Sequence, residues 1–198
     1  MEQSNASRKR GDRLIESIYS AAIEIIRTEG YGNLTFQRVA RLARTSRTVL
    51  YRRWATPLEL IREIMTYRSA LALDGDLIDK VKDTGSLRSD LLHLITLYQK
   101  IYTAVGPETM NAMLFEMSQN NARLPDIKND IVLRNVQVME KLVEFAKARG
   151  EHIKTLSDTA LALPIDLIRI SFLWGRQIMG QTELEKLVDE ILLPVLKG

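Results

Sequence analysis

Arg47, Thr48, Tyr51 and Arg52 fall on one arc of a segment whose spacing predicts a short helix, at about 100° per residue. Two guanidinium forks, a hydroxyl and a phenol, with no carboxylate among them, form a donor set that can read base edges and hold phosphates. Leu50 and Trp54 fall together on a different side and are expected to pack inward. Arg44 and Arg53 flank the arc and are also basic, which separates it from an ordinary solvated face of mixed charge.

The elements that position this arc are readable on either side of it. Thr35 is a cap residue for a preceding helix in which Val39, Ala40 and Ala43 form one small packable face, with Arg38, Arg41 and Arg44 around it. Ser46 caps the second helix after a tight turn at Arg44 and Thr45. A second helix that packs on one side and presents donors on the other is a helix-turn-helix. Thr35 and Gln37, at the start of its first helix, and Arg53 join Arg47, Thr48, Tyr51 and Arg52 as candidate DNA contacts. A helix from about Asp12 to Glu29, with a stripe of Leu14, Ile15, Ile18, Tyr19, Ala22, Ile25 and Ile26, braces the pair and stops at Gly30.

From about residue 13 to 60 the chain resembles the TetR (tetracycline repressor) family of transcriptional regulators. The likeness rests on an apolar first helix, a Gly-containing turn, then Thr35, Val39-Ala40, Ala43, Ser46, Leu50-Tyr51, Trp54 and Leu60 in the family's order. Three positions depart from it. The family has Gly where Arg44 stands, Gly and Thr where Thr48 and Val49 stand, and Lys where Pro57 stands. A non-Gly residue is disfavoured at positive φ, so the Arg44 turn is the strained one. Pro57 suits the first turn of the next helix, and phosphate capture there would fall to backbone N–H groups.

The basic excess is local. Residues 1–60 hold 11 Lys plus Arg against 6 Asp plus Glu, a net of +5, and residues 61–198 hold 17 against 19, a net of −2. That distribution fits a nucleic-acid footprint on one part of a regulator. The absence of cysteine excludes disulfides and thiolate metal sites and fits a reducing cytoplasm. His93 and His152 lie far apart, so no metal site and no cofactor is expected. No apolar run is long enough to span a bilayer, and the polar, basic start lacks a secretory h-region. Without a Cys nucleophile, a G-x-S-x-G elbow or a phosphate-cradling Gly-rich loop, the chain does not read as an enzyme.

The expected architecture is all-α: a basic disordered arm at 1–10, a three-helix DNA-binding domain at 11–56, and a larger helical domain at 57–198. Arg8, Lys9 and Arg10 of the arm are placed to follow phosphates or act as a solubilising tail. A long helix is expected over about 57–83, then helices over 86–105, from Pro107 onward, 126–149, 157–179 and 183–196. The helix at 157–179 is apolar on more than one side, with Pro164 expected to kink or divide it.

Two tasks would occupy this second domain, and the resemblance implies both. Dimerisation lets two reading helices about 34 Å apart, or a multiple, address a near-palindrome. The candidate interface residues of the homodimer are Phe172, Leu184, Leu187, Val188 and Ile191. A small-molecule effector site is the second, with Tyr98, Tyr102, Met113, Met117, Arg169 and Trp174 as candidate lining. Asp166 and Arg169 are the polar groups of the most apolar helix. The rival reading is a helical adaptor binding only protein, which leaves the carboxylate-free arc unexplained.

Overall fold

A computed structural model describes residues 2–118, 124–175 and 178–197, with side chains described for 11–118, 131–175 and 178–197. The described residues are helical with short connections: α1 (Glu2–Glu29), a 3₁₀ turn (Tyr31–Asn33), α2 (Phe36–Leu42), α3 (Arg47–Arg53), α4 (Pro57–Leu73) and α5 (Leu77–Lys80). There follow α6 (Leu87–Val105), α7 (Pro107–Ser118), α8 (Leu124–Ala148), α9 (Asp158–Gly175), α10 (Gln181–Lys186), a π-helical segment (Leu187–Leu192) and α11 (Leu193–Leu196).

The chain divides into two compact units. The first holds residues up to Tyr67 together with Glu108–Ser118, and the second holds Arg68–Pro107 and the described residues from Leu124 on. The sequence places a boundary at the start of α4; the division falls inside that helix instead.

In the first unit, Ile18, Ala22, Ile25 and Ile26 of α1 are buried with Phe36 and Val39 of α2, Leu50 of α3, and Leu60, Ile61 and Ile64 of α4. The α1 backbone is helical from Glu2, where the sequence points to a disordered arm. The side chains of Arg8, Lys9 and Arg10 lie outside the described set.

In the second unit α6 is central, packing on α8, α9 and the π-helical segment, and α8 packs on α9. Its Leu87, Leu91 and Ile95 have no exposed surface, nor have Met139 and Leu142 of α8, Ile165 of α9, or Val188, Leu192 and Leu196 beyond. Ser86 caps α6 by accepting the Ser89 N–H at 3.2 Å. Gly106, at φ 85, ends it, and the Arg68 guanidinium donates to the carbonyls of Ala104 and Val105 at 2.9 and 3.3 Å. A charged cluster holds the C-terminal end in place. Arg149 pairs with Asp83, Asp90 and Glu151, Lys197 Nζ pairs with Glu151 at 2.7 Å, and Lys154 N–H donates to the Leu196 carbonyl at 3.1 Å.

Three expectations change. The helix expected to reach residue 83 stops at Leu73, where Asp74 takes φ 52 and the Gly75 N–H reaches back to the Ala70 carbonyl at 3.0 Å, a Schellman closure. Pro164 does not divide α9, which runs unbroken through it. The last helix contains a π-helical stretch just ahead of Pro194, whose ring cannot accept a regular α-helical turn before it.

Candidate nucleic-acid interface

Two short helices need good ends, and both have them. The Thr35 hydroxyl accepts the Arg38 N–H at 3.3 Å to open α2, and the Ser46 hydroxyl accepts the Val49 N–H at 3.3 Å to open α3. Between them the chain closes α2 with a Schellman motif: Arg44 N–H to the Arg41 carbonyl at 3.3 Å and Thr45 N–H to the Ala40 carbonyl at 2.9 Å. Arg44 holds φ 52, so the left-handed turn forms without the glycine that would suit it.

α3 then has two sides. Leu50 is buried against the body of the unit, and Trp54, just past the helix, is 2 % exposed. Arg47, Thr48, Tyr51 and Arg52 are exposed together, as the sequence arc requires. Neither Arg47 nor Arg52 has a carboxylate partner among the described residues, so both guanidinium forks remain available to phosphate or base edges. The Tyr51 ring stands edge-on to Phe36 at 4.9 Å and 80°. Phe36 therefore steers the Tyr51 ring while 61 % of that residue stays exposed. Thr35 and Gln37 are exposed at the start of α2.

Arg53 differs from the residues grouped with it. Its guanidinium donates to Glu63 Oε1 at 2.5 and 3.2 Å and lies 5.3 Å from the centre of the Trp54 ring. It braces α3 against α4 rather than pointing a free fork outward. Arg38 is committed likewise, to Glu29 at 2.7 Å.

Glu63 is the residue the sequence did not single out. Its carboxylate also accepts the Tyr19 hydroxyl at 2.6 Å and the Trp54 indole N–H at 2.7 Å. One side chain thus ties α1, the end of α3 and α4 together. Burial pushes its carboxyl up, but hydrogen bonds from Arg53, Tyr19 and Trp54 outweigh that and hold it below the usual carboxylate range. The Tyr19 phenol is driven up by burial and by the same carboxylate. The signal was available: Glu63 falls at helical spacing between Leu60 and Ile64, both fully buried, where an acid must find donors.

The start of α4 corrects a further expectation. The Glu59 carboxylate accepts the Ala55 N–H at 2.8 Å, while the Thr56 hydroxyl accepts the Glu59 N–H at 3.3 Å. A negative charge already complements that helix terminus, which disfavours phosphate capture there. At the other end of the unit, the Tyr31 hydroxyl donates to Glu116 of α7 and its ring meets Phe115 edge-on at 5.8 Å. Tyr31 therefore both packs and fastens α7.

The residues expected to line an effector site do not all belong to one unit. Met113, which is buried, and Met117 sit on α7 in the first unit, whereas Tyr98, Tyr102, Arg169 and Trp174 belong to the second. Trp174 is 85 % exposed and walls no site among the described residues. Tyr98, Tyr102 and Phe172 form a run of aromatic contacts, each 5.7 Å between centroids. The Tyr98 hydroxyl donates to Asn135 Oδ1 at 3.0 Å. The interface candidates need a larger correction. Phe172, Leu184, Leu187 and Val188 are buried within the single chain, because the α6 packing uses that side of the C-terminal helices. Only Ile191 of that set is exposed, and the large apolar side chains left uncovered nearby in sequence are Ile170, Trp174 and Ile178.

Comparison with known proteins agrees with this geometry. Residues 18–64 match the family described as bacterial regulatory proteins, tetR family, and residues 81–191 match the tetracyclin repressor-like C-terminal domain. The DNA-binding transcriptional repressor TetR of Mycobacteroides abscessus is 24% identical over 193 residues, covering 95% of this chain and 96% of that one. An HTH-type transcriptional regulator of Mycobacterium bovis is 30% identical over 190 residues, covering 90% and 86%. In fold, the chain is similar to the transcriptional regulator FadR of Bacillus subtilis, solved with stearoyl-CoA, at a TM-score of 0.67 and 16% identity over 92% of this chain and 98% of that one. With capped reading helices, an acid-free donor arc and both domain matches in place, the chain belongs to the TetR family of DNA-binding transcriptional regulators.

Proposed function

We propose that the protein is a repressor that binds a near-palindromic operator as a homodimer in the cytoplasm and is released by a small-molecule effector. The observation that carries this reading is the exposed face of α3, where Arg47 and Arg52 carry no counter-charge among the described residues and Thr48 and Tyr51 stand between them. Arg47, Thr48 and Tyr51 read base edges in the major groove; Arg52, Thr35 and Gln37 hold the backbone and set register. Repression follows from occlusion of a promoter, in keeping with the relative named as a repressor.

Two copies are required to read two half-sites. The outward stripe of α9, Leu163, Leu167, Ile170 and Trp174 at helical spacing, together with Ile178 and Ile191, supplies an apolar surface suited to a two-fold interface. Release is a two-state matter: an effector that prefers another spacing of the two heads lowers operator affinity by its differential binding. The test is selection of bound sequences from a random duplex library at two salt concentrations, beside an Arg47→Ala/Thr48→Ala variant. An enriched near-palindrome lost in the variant supports the reading; binding that is steeply salt-dependent without an enriched motif overturns it.

A further inference from the structure

Among the described residues, two buried side-chain atoms lack a hydrogen-bond partner, Arg38 Nη1 and the Tyr102 hydroxyl. Arg38 is already paired with the Glu29 charge at 2.7 Å. Tyr102 is the unexplained one. Its residue is 6 % exposed, held between Tyr98 and Phe172, and a phenol O–H is costly to bury without an acceptor. The neighbouring Tyr98 shows the ordinary solution, donating to Asn135.

Beside Tyr102 lies Arg169 of α9, close enough for its N–H groups to act on the phenol oxygen, but a guanidinium only donates, so the Tyr102 O–H still has no acceptor among the described residues. Arg169 is largely buried, its side chain 24% exposed, and donates from Nη1 to Asp166 Oδ1 at 2.7 Å. Beyond Asp166 and the Tyr102 oxygen, the Arg169 guanidinium has no partner among the described residues. That leaves one edge of a planar guanidinium, the geometry that accepts a carboxylate in two parallel bonds. Charge in this region favours an anion: Arg169 and Arg134 both act on the Tyr98 hydroxyl, against one carboxylate, Asp166.

We infer that Tyr102 and Arg169 form the acid-binding end of the effector site, taking a small organic acid whose carboxylate accepts from the Tyr102 hydroxyl and the free Arg169 edge while its aromatic or aliphatic body lies along Phe172 and Tyr98. This rests on the reading of the chain as an effector-released regulator. The phenol is in the right state for the task, since burial raises it and keeps it a proton donor at neutral pH. A neutral acceptor would satisfy Tyr102 and leave the guanidinium edge desolvated and unpaired; an amine would meet Arg169 as a like charge.

The test is calorimetric titration of the full chain with phenylacetate and octanoate, beside phenylacetamide, octanamide and phenethylamine, for the parent, Tyr102→Phe and Arg169→Gln. At least one acid is expected to bind, its amide about tenfold or more weaker, and each variant to lose about tenfold or more in acid affinity. Tyr102→Phe also removes an unsatisfied hydroxyl, so the thermal midpoint of the free protein is expected to hold or rise while acid binding weakens. The opposite pattern, a lowered midpoint with unchanged acid binding, assigns the hydroxyl a structural role and overturns the inference. So does binding of neither acid, or amides or the amine bound as well as the acids. Operator affinity measured on the same preparations separates the two readings. Intact operator binding with no acid binding overturns this inference alone, whereas acid binding without operator release leaves it standing and overturns the effector step.

Discussion

Replacing Glu63 by Gln keeps the shape of the side chain and removes its charge, which isolates what the carboxylate does for the reading head. The two oxygens are divided between donors: Oε1 takes the Tyr19 hydroxyl and Arg53, and Oε2 takes the Trp54 indole N–H. An amide has one oxygen to offer. If it stays with Tyr19 and Arg53, the amide N–H₂ faces the indole N–H, donor against donor, at a residue 2 % exposed. Leaving that buried donor unpaired costs about 1–3 kcal/mol. The Arg53 ion pair is half exposed, 49% and 35% on its two sides, so losing its charge adds only about 0.2–1 kcal/mol. The expected destabilisation is roughly 2–3 kcal/mol in total, together with weaker operator binding although no reading residue has changed. Urea unfolding in a Trp174→Phe background makes Trp54 the sole tryptophan reporter, since the chain has two. A double-mutant cycle with Trp54→Phe, followed by far-UV circular dichroism because that variant removes the reporter, should show coupling above about 1 kcal/mol. Equal urea midpoints, or additive effects in the cycle, would refute the assignment of Glu63 as the tie between α1, α3 and α4.

Arg47→Ala is expected to cost about 1–3 kcal/mol of specific operator binding with an unchanged melting temperature, whereas Arg53→Ala should lower the melting temperature as well, because its guanidinium is spent on Glu63; gel-shift titration and calorimetry separate the two. Arg44→Gly should raise stability by about 0.5–1 kcal/mol by relieving a side chain held at φ 52, read from the urea midpoint. Trp174→Glu places a charge on the outward α9 stripe and should shift sedimentation of the full chain toward monomer. Burial pushes the Glu151 carboxyl up, but Lys197, Arg149 and the Leu87 N–H outweigh it and bring it to about 2. A folded value below the unfolded one stabilises at higher pH, so this contribution is complete above the ordinary range near 4.5 and is lost as pH falls toward about 2. Glu151→Gln should flatten the acid limb of the stability profile over that window.

The DNA-binding head was readable because its determinants are local. Thr35 and Ser46 announce helix starts by their own chemistry, and Leu50 against Arg47, Thr48, Tyr51 and Arg52 sorts inside from outside within two turns of one helix. The resemblance to a family added the order of these signals, and the one doubtful turn formed anyway: hydrogen bonds from Arg44 and Thr45 close α2 and offset the strain at Arg44. What sequence spacing misjudged was commitment. Arg53 and Arg52 look alike in the sequence, but Arg53 falls where Glu63 of α4 can reach it, and that pairing is ten residues away on another helix.

The same limit, carried to the C-terminal helices, explains why most of the interface candidates are buried within the chain. Hydrophobic periodicity marks which residues must leave water, not which surface covers them. α9 has two apolar sides, and the richer one, with Ile165, Ile168 and Phe172, is claimed by the chain itself. Ile170 and Trp174, on the other side, stay exposed at 48% and 85%. The strongest apolar positions are therefore the poorest guide to a partner, since a folding chain buries them first. Polar residues report more: Asp90 and Asn135 are buried, and the Tyr102 hydroxyl lacks an acceptor among the described residues. Asp90 meets Arg149 and Thr84, and Asn135 meets Tyr98, so each has its reason within the fold. Tyr102 has no acceptor among the described residues, and a buried donor in that state is where we place an acceptor that arrives from outside.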